Sequence, residues 1–430
     1  MMIQKTSRFW FATGALAVAA SMCISTTPLT AAKDPSNDWV TSWAAAVTAA
    51  DPGSSQAGFN NQTYRNGVHL SVGGNQIRIK LTNIYGTQTV VIGHATVAKS
   101  NRATPQVSDV VPSTLRELTF QGRPTATILK GDDLYSDPVD LTVDDGDDLI
   151  VSVYFPTATG PASWHVTSKH DNFRGAGDLA GTTDGPWDFQ RVCCWFFLSG
   201  VDVLQPRANG AVAVLGTSIS DGNGSTQNAN TRWPDLLAKR LGQKQGNNKQ
   251  PAVVNLGLSG NRLNHEGPEN AVDGFTGGQQ FGRNAGARLN DDVFALTGVT
   301  AVVVEFGIDD IWMNGDDAQA IIDGLQNLAE RLRQHGLEVI VSTITPFHGM
   351  EQAFGLPNAW SPAKETTRNA VNAFIRTGQG FDAVVDFDAV LRDPADATKL
   401  RAEFDAGDHF HPNDAGAQQM ANALPLSLIQ

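Results

Sequence analysis

A serine, a histidine and an aspartate brought together can attack a carbonyl carbon, and this chain supplies all three in suggestive settings. Ser218 lies in Gly216-Thr217-Ser218-Ile219-Ser220-Asp221-Gly222, directly after the apolar run Ala211-Val212-Ala213-Val214-Leu215. A free serine hydroxyl is barely nucleophilic at neutral pH, so it needs a base, and the base needs a third group to fix its tautomer. The segment Asp408-His409-Phe410-His411-Pro412 offers both. A spacing of three lets a carboxylate and an imidazole meet over one turn, which makes His411 the candidate base and Asp408 its orienter. The same segment opens a helix over Asn413 to Ala423, so capping of that helix is the competing explanation for Asp408. Two further loops of small residues complete the set. Asn255-Leu256-Gly257-Leu258-Ser259-Gly260-Asn261 exposes backbone N–H groups of the kind an oxyanion hole requires, and Glu305-Phe306-Gly307-Ile308-Asp309-Asp310 ends another apolar run.

The elements that must position these residues follow from periodicity. From residue 208 onward, candidate strands at Ala211 to Leu215, Ala252 to Leu256, Thr300 to Phe306, Glu338 to Ile344 and Ala383 to Phe387 alternate with helical stretches. The helical stretches are Trp233 to Leu241, Leu289 to Leu296, Ala318 to His335 and Pro362 to Arg376. Five such units predict an α/β fold, a doubly wound parallel sheet of flavodoxin-like order, whose carboxyl edge is where ligands collect and where Ser218 would sit. Residues 38–207 read instead as short strands with Gly and Pro between them, an antiparallel β-sandwich of jelly-roll type. Among them are Val68 to Val72, Gln76 to Leu81 and Asp148 to Phe155, with Gly73-Gly74-Asn75 as a hairpin-like turn between the first two. The chain thus divides into a leader over 1–32, a β domain over 38–207 and a catalytic domain over 208–430.

Composition narrows the function. Lys5 and Arg8, the apolar stretch Phe9 to Ala20 and the ending Thr30-Ala31-Ala32 read as a cleavable secretory signal, which implies a secreted or periplasmic protein. Cys23 follows a poor lipidation box, and no later segment has the roughly 20 apolar residues of a membrane anchor. A net charge of -13 argues against nucleic acid or an anionic membrane surface as partner and leaves a small molecule or a polysaccharide as substrate. Beyond the leader only Cys193 and Cys194 remain; two buried thiols are expected, with a vicinal disulfide as the alternative. Asp144, Asp145, Asp147 and Asp148 read as a polar turn before they read as a calcium loop. Trp39, Trp43, Trp164, Trp187 and Trp195 read as sandwich core before they read as a sugar-stacking face. Near the candidate site, His409 is expected to pack or pair elsewhere, and His348 to lie in a surface loop. Trp312 is placed either to wall an acyl pocket or to pack in the core, and the stretch Asn264 to Asn284, with Phe275 and Phe281, reads as a mobile rim or as a static Ω-type loop. No cluster has metal-ligand spacing, so neither metal nor cofactor is expected.

Taken together, these motifs resemble the SGNH (GDSL-type) serine hydrolases over the whole of 208–430, and Asp38-Trp39-Val40-Thr41-Ser42-Trp43 looks like the start of the β domain that precedes the catalytic domain in some exported members. The resemblance implies that Ser218 is the nucleophile of a triad with Asp408 and His411, and that Ser218, Gly260 and position 309 form the oxyanion hole. It also implies hydrolysis of carboxylic esters through an acyl-enzyme, with short-chain acyl or carbohydrate acetyl esters as the expected substrates. Non-catalytic glycan binding and acyl transfer by the same triad are the rival readings. Two positions depart from the pattern. The family's Gly-Asp-Ser is Gly216-Thr217-Ser218 here, and its Gly-x-Asn-Asp is Gly307-Ile308-Asp309-Asp310. An ionised Asp309 offers only acceptors and would repel an oxyanion, so it must be a protonated donor, turn away, or mark lost catalysis. Thr217 and Asp309 together would still keep one carboxylate in the pair of loops. Ser220 stands where the last glycine of Gly-x-Ser-x-Gly would be, which argues against the nucleophile elbow of α/β-hydrolases.

Overall fold

The computed structural model describes residues 38–50, 58–102, 108–185, 187–192, 194–205, 208–245, 250–275 and 277–429. The leader-like segment Met1 to Ala32 and Cys193 lie outside the described residues. Those described belong to one compact unit.

Apolar runs buried on both faces build the central parallel sheet. Its strands are β1 (Ala211–Gly216), β2 (Ala252–Gly257), β3 (Val299–Glu305), β4 (Glu338–Ser342) and β5 (Ala383–Val385), in the order β2-β1-β3-β4-β5. That is the flavodoxin-like doubly wound order. Helices α1 (Ser218–Asp221), α2 (Trp233–Gln245), α3 (Ala285–Asp292), α4 (Ala318–Gln334), α5 (Pro362–Arg376) and α6 (Asp414–Ala423) connect and cover the strands. Register sets the site. Gly216 pairs with Gly257 on one side and with Glu305 on the other, so three strands end level and deliver their loops to one edge.

Residues 38–205 fold into two large antiparallel sheets packed face to face, beside two two-stranded ones, Val90–Ile92 with Ala126–Ile128 and Trp164–His165 with Trp195–Phe196. One large sheet holds Trp39–Ala44, Leu198–Leu204 and Gly74–Thr82, with Asp133–Tyr135 and Val139–Val143 both paired to the last. The other runs Asp188–Val192, Asn172–Ala176, Gln62–His69, Asp148–Phe155, His94–Lys99, Arg116–Glu117. Alternating positions such as Tyr64, Val68, Ile77, Ile79, Val151 and Val153 are fully buried between them. The hairpin expected at Gly73-Gly74-Asn75 does not form, because Gln62–His69 and Gly74–Thr82 belong to opposite sheets. The turn is real, and the Gly73 N–H donates to Asp145 Oδ1 at 2.7 Å. It is a corner of the sandwich.

Three other expectations are settled here. Trp43, Trp164, Trp187 and Trp195 are buried, which leaves no stacking face among them. Asp147 pairs with Lys99 at 2.7 Å and Asp148 lies 2.8 Å from His69 Nδ1, so the acidic turn is tied to protein side chains. Cys194 is disulfide-bonded, correcting the expectation of two buried thiols. The β region and the parallel sheet share one hydrophobic core, and Thr41, at its edge, receives the Thr297 N–H at 2.9 Å while donating to Asp202 at 2.7 Å.

Candidate active site

Strand β1 ends at Gly216, and the chain turns at once into the single helical turn α1. Only glycine fits at 216, since a Cβ there would lie 2.5 Å from Ser220 Oγ and 2.8 Å from Glu305 Oε2. Thr217 is the N-cap, its hydroxyl accepting from the Ile219 N–H, and Ser218 is the first helical residue. Ser218 Oγ lies 2.8 Å from His411 Nε2, and His411 Nδ1 lies 2.6 Å from Asp408 Oδ2. Asp408 Oδ1 also accepts the backbone N–H groups of Phe410 and His411, at 3.0 and 2.8 Å. Partial burial works against the Asp408 carboxylate, but the hydrogen bonds and charge of His411 outweigh it and hold its pKa down at about 2. An ionised Asp408 accepts the Nδ1–H of His411, which turns the Nε2 lone pair toward Ser218. The competing role for Asp408 is filled by another residue: Asn413 caps α6, accepting from the Ala415 and Gly416 N–H groups.

Gly260 holds φ +74°, a left-handed conformation that suits glycine. Among the described residues, neither the Ser218 nor the Gly260 backbone N–H has a hydrogen-bond partner. Asp309 is 1% exposed, and its Oδ1 accepts from Trp312 Nε1 at 2.7 Å. Trp312 reaches back because Asp310–Asn314 winds as a π-helix, a wider turn often found at functional sites. Asp309 Oδ2 is buried with no partner. Burial pushes the Asp309 carboxyl up to about 8; the Trp312 N–H opposes this, and the neighbouring charges of Asp310 and Glu305 reinforce it. At neutral pH Asp309 is therefore a carboxylic acid, with a donor to offer.

Thr217 does not work with Asp309. Its N–H and hydroxyl face Glu305, at 3.0 and 3.1 Å to Oε2, and Ser220 Oγ donates to the same oxygen at 2.9 Å. Burial raises the Glu305 carboxyl to about 7 against these bonds. The carboxylate absent from position 217 is thus supplied by the neighbouring strand end, which the sequence reading missed.

Ser218, Gly260, Asp309 and His411 open on one cavity of about 210 Å3, walled by Phe275, Phe281, Trp312, Met313, Met350 and Leu356. Phe354, 46% exposed, also lines it. His348 lies away from the cavity lining, stacked on Trp360 at 3.7 Å. His409 pairs with Asp405 at 2.6 Å. Folding does assemble one group that the sequence reading did not foresee, His265, Asp310 and Asp316. Its members are occupied with protein partners: His265 bonds Asp316 at 2.8 Å and Asp310 accepts the Leu263 and Asn264 N–H groups.

Comparison with known proteins covers the same half of the chain. Residues 214–419 match the model of the GDSL-like Lipase/Acylhydrolase family. Among solved structures, the chain is similar to an acetyl xylan esterase from Geobacillus stearothermophilus, at 20% identity over 52% of this chain and 95% of that one, with a TM-score of 0.37. It is also similar to a GDSL-like lipase from Bacteroides thetaiotaomicron (15% identity, 52% and 87% coverage, TM-score 0.35). A third is an alpha/beta hydrolase enzyme from the metagenome of Lake Arreo (21% identity, 51% and 95% coverage, TM-score 0.36). No curated protein matches.

Proposed function

With residues 214–419 belonging to the GDSL-like lipase/acylhydrolase family, we propose that this protein hydrolyses carboxylic esters through an acyl-enzyme on Ser218. The observation that carries the reading is the unbroken chain from Ser218 Oγ through His411 to Asp408, opening on an apolar cavity. Ser218 attacks the ester carbonyl as His411 Nε2 takes its proton. The Ser218 and Gly260 N–H groups and the neutral Asp309 carboxyl stabilise the oxyanion, and His411 returns the proton to the leaving alcohol. Water then repeats the sequence on the acyl-enzyme.

The cavity also bears on the acyl group. An apolar cavity of about 150 Å3 already holds benzene, so the larger one here suits an apolar acyl group of ring size or about six carbons better than acetyl. Four of the five tryptophans of the β region, Trp43, Trp164, Trp187 and Trp195, are buried and offer no stacking face to a glycan. Export remains part of the proposal, resting on the sequence of Met1 to Ala32.

A series of p-nitrophenyl esters from acetate to decanoate, with benzoate, tests this reading. Expected are a kcat/KM maximum at mid-length acyl groups or benzoate, a shift toward acetate in Met350→Trp, and a loss of kcat on the order of 10⁴–10⁶ in Ser218→Ala. A Ser218→Ala protein as fast as the parent overturns the mechanism, and acetate as the best substrate overturns the acyl assignment.

A further inference from the structure

The nucleophile's helical turn is gripped from outside the parallel sheet. His165, in the two-residue strand Trp164–His165 of the β region, is 2% exposed and meets three acceptors. Its Nδ1 lies 2.6 Å from the Ala46 carbonyl oxygen; its Nε2 lies 3.1 Å from the Thr167 carbonyl oxygen and 2.9 Å from Asp221 Oδ1. Carbonyl oxygens only accept, so both ring nitrogens must donate, and the ring fits this pocket as an imidazolium. Asp221, the last residue of α1 and 1% exposed, spends its other oxygen on the catalytic edge. Asp221 Oδ2 accepts the Ser259 N–H at 3.1 Å and the Ser259 hydroxyl at 2.6 Å. Asn223, which lines the cavity, donates to the same hydroxyl at 3.2 Å. The next residue is Gly260.

We propose that His165 is a positioning residue contributed by the β region: its imidazolium fixes Asp221, and Asp221 fixes Ser259 by its N–H and hydroxyl, so the oxyanion donor on the next residue is aimed by a side chain outside the catalytic sheet. This rests on the acyl-enzyme reading for its catalytic meaning, but the link itself is independent of it. A cation suits the place. Burial alone would favour the neutral ring, yet the charge and hydrogen bonds of Asp221 and the bond to Ala46 prevail and raise the pKa of His165, against the opposing charge of Arg232. Arg232 is itself paired with Asp235 at 2.8 Å, and Lys169 is a second cation that feels Asp221. Trp195 shields the ring, with centroids 5.2 Å apart.

The sign of the pH effect follows. The link is intact while His165 is charged and is lost as pH rises through its raised pKa. Two measurements test it. In the first, ring ¹⁵N NMR of the full chain is followed from pH 6 to 9. Both His165 nitrogens should carry protons at pH 7.5, and the Gly260 amide signal should move as the ring titrates but stay still in Asp221→Asn. A singly protonated ring at pH 7.5, or a Gly260 amide blind to the titration, overturns the proposal whether or not the protein hydrolyses esters. In the second, His165→Ala and Ser259→Ala are compared with the parent on the best ester. An oxyanion donor out of place costs on the order of 10²-fold in kcat; about that loss is expected for His165→Ala and about tenfold for Ser259→Ala, with KM changed less than twofold. Ser259→Ala leaves the buried ion pair whole, so it decides the matter if His165→Ala does not fold. Unchanged kcat in the folded variants overturns the proposal, and a parent without esterase activity overturns the acyl-enzyme reading instead.

Discussion

The β region and the parallel sheet spend their polar residues in opposite ways. In the sandwich, the groups that looked functional in sequence are absorbed by structure: the acidic turn is paired with Lys99 and His69, and four of the five tryptophans are packed inside. At the carboxyl edge of the sheet, polar groups are left unspent: the Ser218 and Gly260 N–H groups and Asp309 Oδ2 have no partner among the described residues, and all three residues line one cavity. Unspent buried groups are costly, and a fold keeps them where a ligand will use them. Buried unpartnered atoms also occur in the sandwich, at Trp43 Nε1 and Trp187 Nε1, so what marks the site is that its unspent groups gather around one cavity.

That contrast can be broken at several points. The largest effect belongs to Trp195, 1% exposed and donating to the Gly67 carbonyl at 2.7 Å. Trp195→Ala should cost about 3–5 kcal/mol, and because the core is shared, chemical denaturation followed by activity and by fluorescence should give one coincident transition. Two separate transitions would show the regions to be independent. Next comes Asp309. Replacing it with alanine should lower kcat by on the order of 10²–10³, while Asp309→Asn, a donor at every pH, should hold the rate. The carboxyl donates only while protonated, so the parent should lose rate as pH rises through about 8 and Asp309→Asn should lack that decline. Coincident pH profiles would remove Asp309 from the oxyanion site. The smallest effect is expected at Thr217. Thr217→Val removes the cap and the hydroxyl bond to Glu305 for about 1 kcal/mol of stability, and a loss measured in thermal melts far beyond this would make Thr217 part of the site in its own right.

Much of the site was legible because its residues sit at strand ends or three apart in the chain. Ser218, Asp408 and His411 could be named from an apolar run followed by small residues and from one Asp-x-x-His spacing, whereas Gly260 and Asp309 were singled out by the resemblance to the SGNH hydrolases. What stayed hidden depends on partners distant in sequence. Glu305 answers Thr217 only because β1 and β3 end in register, and His165 reaches Asp221 across regions, with no local pattern to betray either. The failed hairpin has a related cause: a glycine turn says that the chain reverses, while the choice of sheet is made by packing.

The common core has a further consequence for portability. The family-matching segment starts at Val214, inside strand β1, and the strand's other neighbours include Val40 and Trp43 of the sandwich in the same apolar cluster. A chain trimmed to the recognisable half would expose that seam to water. The family-matching half is therefore not an interchangeable module, and grafting it onto another protein would require carrying the sandwich along.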